Sequence, residues 1–238
     1  MARGPCALAP WRAGGCVLEI PGFDDLELLA AAANAHVYAG VDSVHDRRVA
    51  VKVLRIGDEA VSRRFERERR AMGRLSEIPN VASIYTSGFT EAGEPYIVMP
   101  LYAGSLQSRI DDEGALEWHD ALEVMIPVGD AIAHSHEVGV LHLDLKPANI
   151  LIDSAGQPHV ADFGIAVFLE ATGSLSGSML TPDFSPPERF EDVEPSETTD
   201  VYGLAATLFT VLTGQPPFAS DTSTGPASTM RRILMDPL

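Results

Sequence analysis

Cationic side chains are scarce in this chain: 17 lysines and arginines stand against 34 aspartates and glutamates, for a formal net charge of -17 at pH 7. Such an acidic molecule repels phosphate backbones and anionic lipid surfaces, which removes nucleic acid from the expected partners. Cysteine is scarcer still. Cys6 and Cys16 both lie at the start, so neither a disulfide framework nor a cysteine metal centre is indicated, and a reducing cytoplasm is the expected compartment. No apolar run reaches the ~18 residues that a membrane span needs. Pro10, Arg12 and several glycines break up the opening stretch. Residues 1–20 therefore lack a signal-peptide core and are expected to be a disordered leader. What remains is the composition of an ordinary globular protein, 45% hydrophobic and 21% charged over 238 residues, with enough chain for a sizeable core.

Periodicity sorts that chain into two halves. Val49, Val51 and Val53 alternate with Ala50, Lys52 and Leu54, which predicts a strand placing Lys52 on one face with small and apolar neighbours. Val61, Phe65, Met72 and Leu75 recur at helical spacing, and Glu68 falls on the same stripe. An acid on a buried face needs a partner, for which Lys52 is the expected candidate; an exposed pair with Arg67, Arg69 or Arg70 is the alternative. Two further strands are expected between Val81 and Met99 around a Glu-Ala-Gly-Glu turn, ending at Pro100. This sets the expected boundaries at 21–100 for a first lobe and 101–238 for a second. A long helix is predicted from Glu117 to Val138, and residues 171–187, rich in Thr, Ser, Gly and Pro, read as a mobile surface segment. A helix from Asp200 to Thr213 carries Val201, Leu204, Leu208, Phe209, Val211 and Leu212. It has so little polar face that a central position in the second lobe is expected.

Four short motifs then fall in order: VAVKVL at 49–54, LHLDLKPANILI at 141–152, ADFG at 161–164 and SPPE at 185–188. Singly, a loop Asp or Asn is a turn former and a Lys is solvated surface. Jointly, they supply a carboxylate, an ammonium, an amide and a second carboxylate at the spacing that phosphoryl transfer needs. The series resembles a bacterial eukaryotic-like (Hanks-type) serine/threonine protein kinase over about residues 23–238.

That resemblance implies an α+β, bilobal protein-kinase-like fold, with a small antiparallel-sheet N-lobe carrying one helix and a mostly helical, incomplete C-lobe. It implies ATP with Mg2+, or Mn2+ in its place, and protein substrates with Ser or Thr acceptors. Lys52 would bind the α- and β-phosphates and Glu68 would fix its ammonium. Asp144 would orient the acceptor hydroxyl and take its proton, while Lys146 would steady the transferring phosphate. Asn149 and Asp162 would hold the metal, a hard cation suited to oxygen donors. Around the base and phosphates the implied positions are Ala30, Ala32, Ala35, Val37, Ala50, the gatekeeper Met99, the carbonyl of Pro100 and the backbone of Tyr102. Lys146 favours Ser or Thr over Tyr, and Thr181 matches the residue lining the acceptor pocket. His142 and Phe163 are expected to pack and do no chemistry.

Three departures qualify the resemblance. The glycines of G-x-G-x-x-G-x-V are replaced by Ala30, Ala32 and Ala35, so close approach of main-chain amides to phosphate is expected to be harder. This supports an alternative reading as a catalytically weak or inactive pseudokinase, a nucleotide-binding or scaffold module. Leu143 stands where many relatives have an arginine that pairs with a phosphorylated activation segment, so activation by phosphorylation of Thr172, Ser174, Ser176 or Ser178 is not expected. Beyond the helix opened by Asp200, relatives continue with more helices than residues 214–238 supply. The arginine that pairs with the acid at Glu188 has no counterpart, which would leave a buried carboxylate alone.

Overall fold

The computed structural model describes residues 18–32, 35–54, 73–163, 182–190, 193–219 and 226–235. Its first half is an antiparallel five-stranded sheet of β1 (Phe23–Ala31), β2 (Ala35–Asp42), β3 (Arg47–Leu54), β4 (Thr86–Phe89) and β5 (Pro95–Pro100), ordered β1-β2-β3-β5-β4. The alternation in β3 produces two faces. Val49, Val51 and Val53 join Val98 of β5 in one buried cluster, roofed by Ile20 and flanked by Leu18, Phe23, Leu26, Tyr38 and Tyr96. Ile20, counted with the leader in the expected boundaries, is instead 2% exposed. An apolar sheet face must be covered, and here the chain just before β1 supplies the cover. The opposite face carries Ala50 and Lys52, set by the pairs Val37↔Lys52, Ala39↔Ala50, Ala50↔Met99 and Lys52↔Ile97.

The second half, among the described residues, has four helices and a small antiparallel sheet of β6 (Gly104–Ser105), β7 (Ile150–Ile152) and β8 (Pro158–Val160). Helix α1 (Leu106–Glu113) starts at a Ser105/Ser108 capping box and stops at Gly114 with φ 85. Helix α2 (Trp118–Glu137) buries Ala121, Val124, Met125, Val128, Ala131, Ile132 and Ser135, a single stripe facing the core. Its limits match the expected Glu117–Val138 to within a residue at each end. Helix α3 runs Glu197–Thr213 rather than from Asp200, because Ser196 and Thr199 form a capping box one turn upstream. A last helix, α4 (Pro226–Met235), packs near the 3-10 turns Pro182–Phe184 and Pro187–Phe190.

Helix α3 does pack on the main core of the second lobe, but not mainly through the apolar residues that suggested a central position. Its buried residues are Thr199, Asp200, Gly203, Ala206, Thr207, Thr210 and Val211, whereas Val201, Phe209 and Leu212 are exposed. Polar side chains can occupy the buried stripe because they are satisfied locally. Thr207 Oγ1 donates to the Gly203 carbonyl at 2.7 Å and Thr210 Oγ1 to that of Ala206 at 2.8 Å. Contact with the main core runs through Val211, Leu204 and Leu208. Among the described residues no helix is long and apolar enough to cross a membrane.

Candidate active site

The cleft is positioned from below by Asp200. Its carboxylate, fully buried at the start of α3, accepts the backbone N–H groups of His142 (2.8 Å, Oδ2) and Leu143 (2.7 Å, Oδ1), and bonds His136 Nε2 of α2 at 2.8 Å. Leu143 sits at φ 66, a left-handed conformation that costs a leucine about 1–2 kcal/mol. Two charge-assisted amide bonds at and beside that residue hold the turn against the strain. Gly203 allows the close approach of α3. A Cβ there would lie 3.2 Å from Leu145 Cβ and 3.3 Å from its carbonyl oxygen.

His142 is the next tie. Its ring is 0% exposed, with Nε2 on the Ala161 carbonyl at 2.9 Å and Nδ1 facing the Asp144 N–H at 3.2 Å. An N–H can only donate, so Nδ1 is the acceptor and the ring is the neutral Nε2–H tautomer. Burial pushes its pKa down, and this outweighs the upward pull of Asp200, Asp144 and Asp162. The ring also lies 4.7 Å from that of Phe163, which fits the packing roles expected for both.

On this base the predicted polar residues meet. Lys146 Nζ lies 2.8 Å from Asp144 Oδ2 and 3.1 Å from Oδ1. Asn149 Nδ2 donates to the Asp144 carbonyl at 2.8 Å and to its Oδ2 at 3.1 Å. The Asn149 carbonyl in turn accepts the Ala161 N–H at 2.8 Å, tying the two motif loops together one residue before Asp162. From the sheet above, Lys52 reaches down so that its Nζ is 2.5 Å from Asp162 Oδ2. Burial by itself would push the Asp162 carboxyl up, but the charge and hydrogen bond of Lys52, with the charge of Lys146, outweigh it and hold it below the usual range.

The donor set suits a hard cation. Asn149 spends its amide nitrogen on Asp144, so its side-chain oxygen could serve a metal together with the Asp162 carboxylate; amide and carboxylate oxygens are what Mg2+ and Mn2+ prefer. Several of the positions expected to meet nucleotide fall in rows across the sheet. Ala30, Val37 and Lys52 form one cross-strand row through the pairs Ala30↔Val37 and Val37↔Lys52, and Ala50 with Met99 forms a second row across β3 and β5. Ala32 and Ala35 close the β1–β2 hairpin through an N–H···O bond of 2.8 Å, and neither they nor Ala30 has a positive φ. Pro100 ends β5. Tyr102 packs its ring 5.1 Å from that of His159, its phenol pushed up by burial.

Glu68, Thr181 and the four Ser/Thr positions from Thr172 to Ser178 lie outside the described residues. Glu188 is half-buried rather than buried, so the expected isolated interior carboxylate is not what the structure shows. Sequence reading missed Asp200 as an anchor and His136 as its neighbour. The available signal was an acid on an otherwise apolar helix, read only as a helix start. It also missed a mainly apolar cavity of about 270 Å³ behind Met99, lined by Leu75, Ile84, Ile97, Val160, Asp162 and Phe163 among others.

Comparison with known proteins agrees with this geometry. The family model described as protein kinase domain matches residues 23–236. The serine/threonine-protein kinase PknK of Mycobacterium bovis is 40% identical over 223 residues, covering 91% of this chain and 20% of that protein. PrkC of Bacillus subtilis, also a serine/threonine-protein kinase, is 37% identical over 207 residues (83% of this chain, 31% of PrkC). The probable serine/threonine-protein kinase PknB of Bifidobacterium longum is 34% identical over 213 residues, covering 83% and 31%. The chain belongs to the protein kinase family, and within it is similar to bacterial Hanks-type serine/threonine kinases. It spans between a fifth and a third of the length of these relatives.

Proposed function

We propose that this chain is an ATP-dependent protein serine/threonine kinase, using Mg2+ or in its place Mn2+, and acting on protein substrates in the cytoplasm. The observation that carries the reading is the contact of Lys52 with Asp162 at 2.5 Å, directly above the Asp144–Lys146–Asn149 cluster. It supports groups from both lobes serving one site, as phosphoryl transfer requires.

When bound, the metal–nucleotide supplies an activated γ-phosphoryl group; the chain's own residues position it. In this reading Lys52 binds the α- and β-phosphates, with Glu68 as its expected second partner. The side-chain oxygens of Asn149 and Asp162 hold the metal. Asp144 aligns a Ser or Thr hydroxyl and takes its proton at a carboxylate oxygen. Lys146, already on both Asp144 oxygens, neutralises charge on the transferring group. Thr181 is the residue expected to meet the acceptor, by its match to the family motif. Val37, Ala50 and Met99 would hold the base, with the Pro100 carbonyl and Tyr102 backbone as hydrogen-bonding groups.

The alanine loop is the residue-level case for a non-catalytic module. Its force is reduced because none of Ala30, Ala32 and Ala35 needs the left-handed conformation that favours glycine. Leu143, 9% exposed and apolar, offers no cation to a phosphorylated segment, which supports activity without loop phosphorylation. The test is transfer of label from γ-labelled ATP with Mg2+ to the chain itself or to a basic protein. Transfer abolished by Asp144→Asn is expected, whereas transfer that survives it would sink the assignment.

A further inference from the structure

Helices α2 and α3 lie side by side and antiparallel. Three ties fix this: the Leu116 N–H donates to the Val211 carbonyl at 2.8 Å, a Cβ on Gly129 would stand 3.7 Å from Leu204 Cδ2, and His136 Nε2 is 2.8 Å from Asp200 Oδ2. Each helix buries one stripe against the core. On the side turned away from it, Trp118, Leu122 and Ile126 of α2 follow one another at four-residue spacing, and Val201, Phe209 and Leu212 of α3 run alongside. All six are exposed, Trp118 to 66%, Ile126 to 59% and Val201 to 58%. Side chains of that size, each left roughly half open, make an apolar patch of about 500 Å², near the top of the range for a chain with nothing bound there. Positions four apart form one ridge of a helix, so the two rows are ridges with a groove between them that suits a third helix.

The charge around the groove selects its occupant. Neither 116–137 nor 193–213 contains a lysine or an arginine. Glu123, Asp130 and Glu137, all exposed, recur every seven residues and so line the outer edge of the α2 ridge. Glu194 and Glu197, also exposed, stand at the start of α3. A second copy of this chain has no cation on the same face to offer those acids, and it adds a second net charge of -17. An anionic bilayer is repelled for the same reason. We propose that the α2–α3 face is a docking groove for a basic amphipathic helix of a partner protein. Its apolar stripe fills the groove between the two ridges, and its lysines or arginines meet Glu123, Asp130 and Glu137. Helix α2 spans 20 residues, or about 30 Å, so the matching segment is about five turns long. The groove uses none of the phosphoryl-transfer residues, and the proposal stands apart from the kinase reading.

The test titrates the full chain into a fluorescein-labelled peptide of about 20 residues, with leucine at i, i+3, i+4 and i+7 and lysine elsewhere, and reads anisotropy. Two control peptides match its length: one has the same residues scrambled out of helical register, the other has glutamate in place of lysine. The patterned lysine peptide is expected to bind about tenfold or more tightly than either. Leu122→Gln/Ile126→Gln, at exposed positions, should weaken it about tenfold. Glu123→Gln/Asp130→Asn/Glu137→Gln should weaken it several-fold and flatten its dependence on salt. Equal binding of the patterned and scrambled lysine peptides would mean attraction by net charge alone and overturns the proposal. So does an affinity that neither set of substitutions moves. Trp118 gives a reading that needs no groove variant. In Trp11→Phe, which leaves it the one tryptophan, docking is expected to shift its emission to the blue; binding with unchanged emission places the peptide elsewhere and overturns the proposal. Sedimentation velocity of the chain alone is expected to show a monomer. A dimer that Leu122→Gln/Ile126→Gln dissociates would assign the face to self-association and overturn the proposal.

Discussion

Lowering the pH from 7.5 to 5.0 perturbs His142 through the unfolded state. The folded ring is buried and neutral, with Nδ1 committed to accepting the Asp144 N–H and Nε2–H to the Ala161 carbonyl. A proton on Nδ1 would set two donors against each other in a site without water access. Burial has already pushed this pKa below its ordinary 6.5. A group depressed in the folded state contributes stability that is complete above the unfolded pKa and declines as pH falls toward the folded one. While the folded ring stays neutral, the slope approaches about 1.4 kcal/mol per pH unit below 6.5, which bounds the loss from pH 7.5 to 5.0 at about 2 kcal/mol. That is a large fraction of an ordinary domain's stability. Urea denaturation at several pH values measures it, with His142→Gln as reference; Gln keeps an N–H for Ala161 and does not titrate. The difference between the two chains cancels the other histidines. The depressed carboxylates Asp42, Asp153 and Asp162 start from 3.8, so they act at lower pH than this window. A difference that stays flat between pH 7.5 and 5.0 would refute the reasoning.

Asp200→Ala strands the amides of His142 and Leu143 beneath a strained turn and should cost about 3 kcal/mol in a denaturation curve, with activity lost. Asp200→Asn, which keeps one acceptor oxygen, should fall between. Gly203→Ala drives a methyl group to 3.2 Å from Leu145 Cβ, and a loss of about 1–2 kcal/mol is expected in the same assay. Replacing Ala32 and Ala35 together by glycine should lower the apparent KM for ATP without changing the melting temperature by more than a few degrees. An unchanged KM with normal folding would show that the loop is misassigned.

The sequence was legible where local pattern and tertiary demand coincide. Strand β3 and helix α2 were readable because each buries one regular stripe, and the kinase motifs because they keep residue types at fixed intervals. Helix α1 escaped because only Leu106 and Ile110 are buried, too few to make a period, and its start depends on a serine pair rather than on apolar spacing. Which face of α3 is buried is not legible in its apolar residues, because threonine hydroxyls bonded to their own helix are cheap to bury, while Phe209 and Leu212 remain outside. Ile20 was assigned to the leader because composition cannot show that an open sheet face needs a roof. That Lys52, Asp144, Lys146, Asn149 and Asp162 would lie together could be read from the motifs in advance. The Lys52–Asp162 contact could not, since which acid a flexible lysine selects depends on distances spanning 110 residues of chain.

The central claim is that both lobes contribute to one metal-dependent nucleotide site. Calorimetric titration of a non-hydrolysable ATP analogue, with and without Mg2+, tests it most directly on the unmodified chain and on Asp162→Asn. Mg2+ is predicted to tighten binding by about tenfold or more in the former and to have little effect in the latter. An affinity indifferent to Mg2+ in the unmodified chain, or no binding in either condition, would contradict the account.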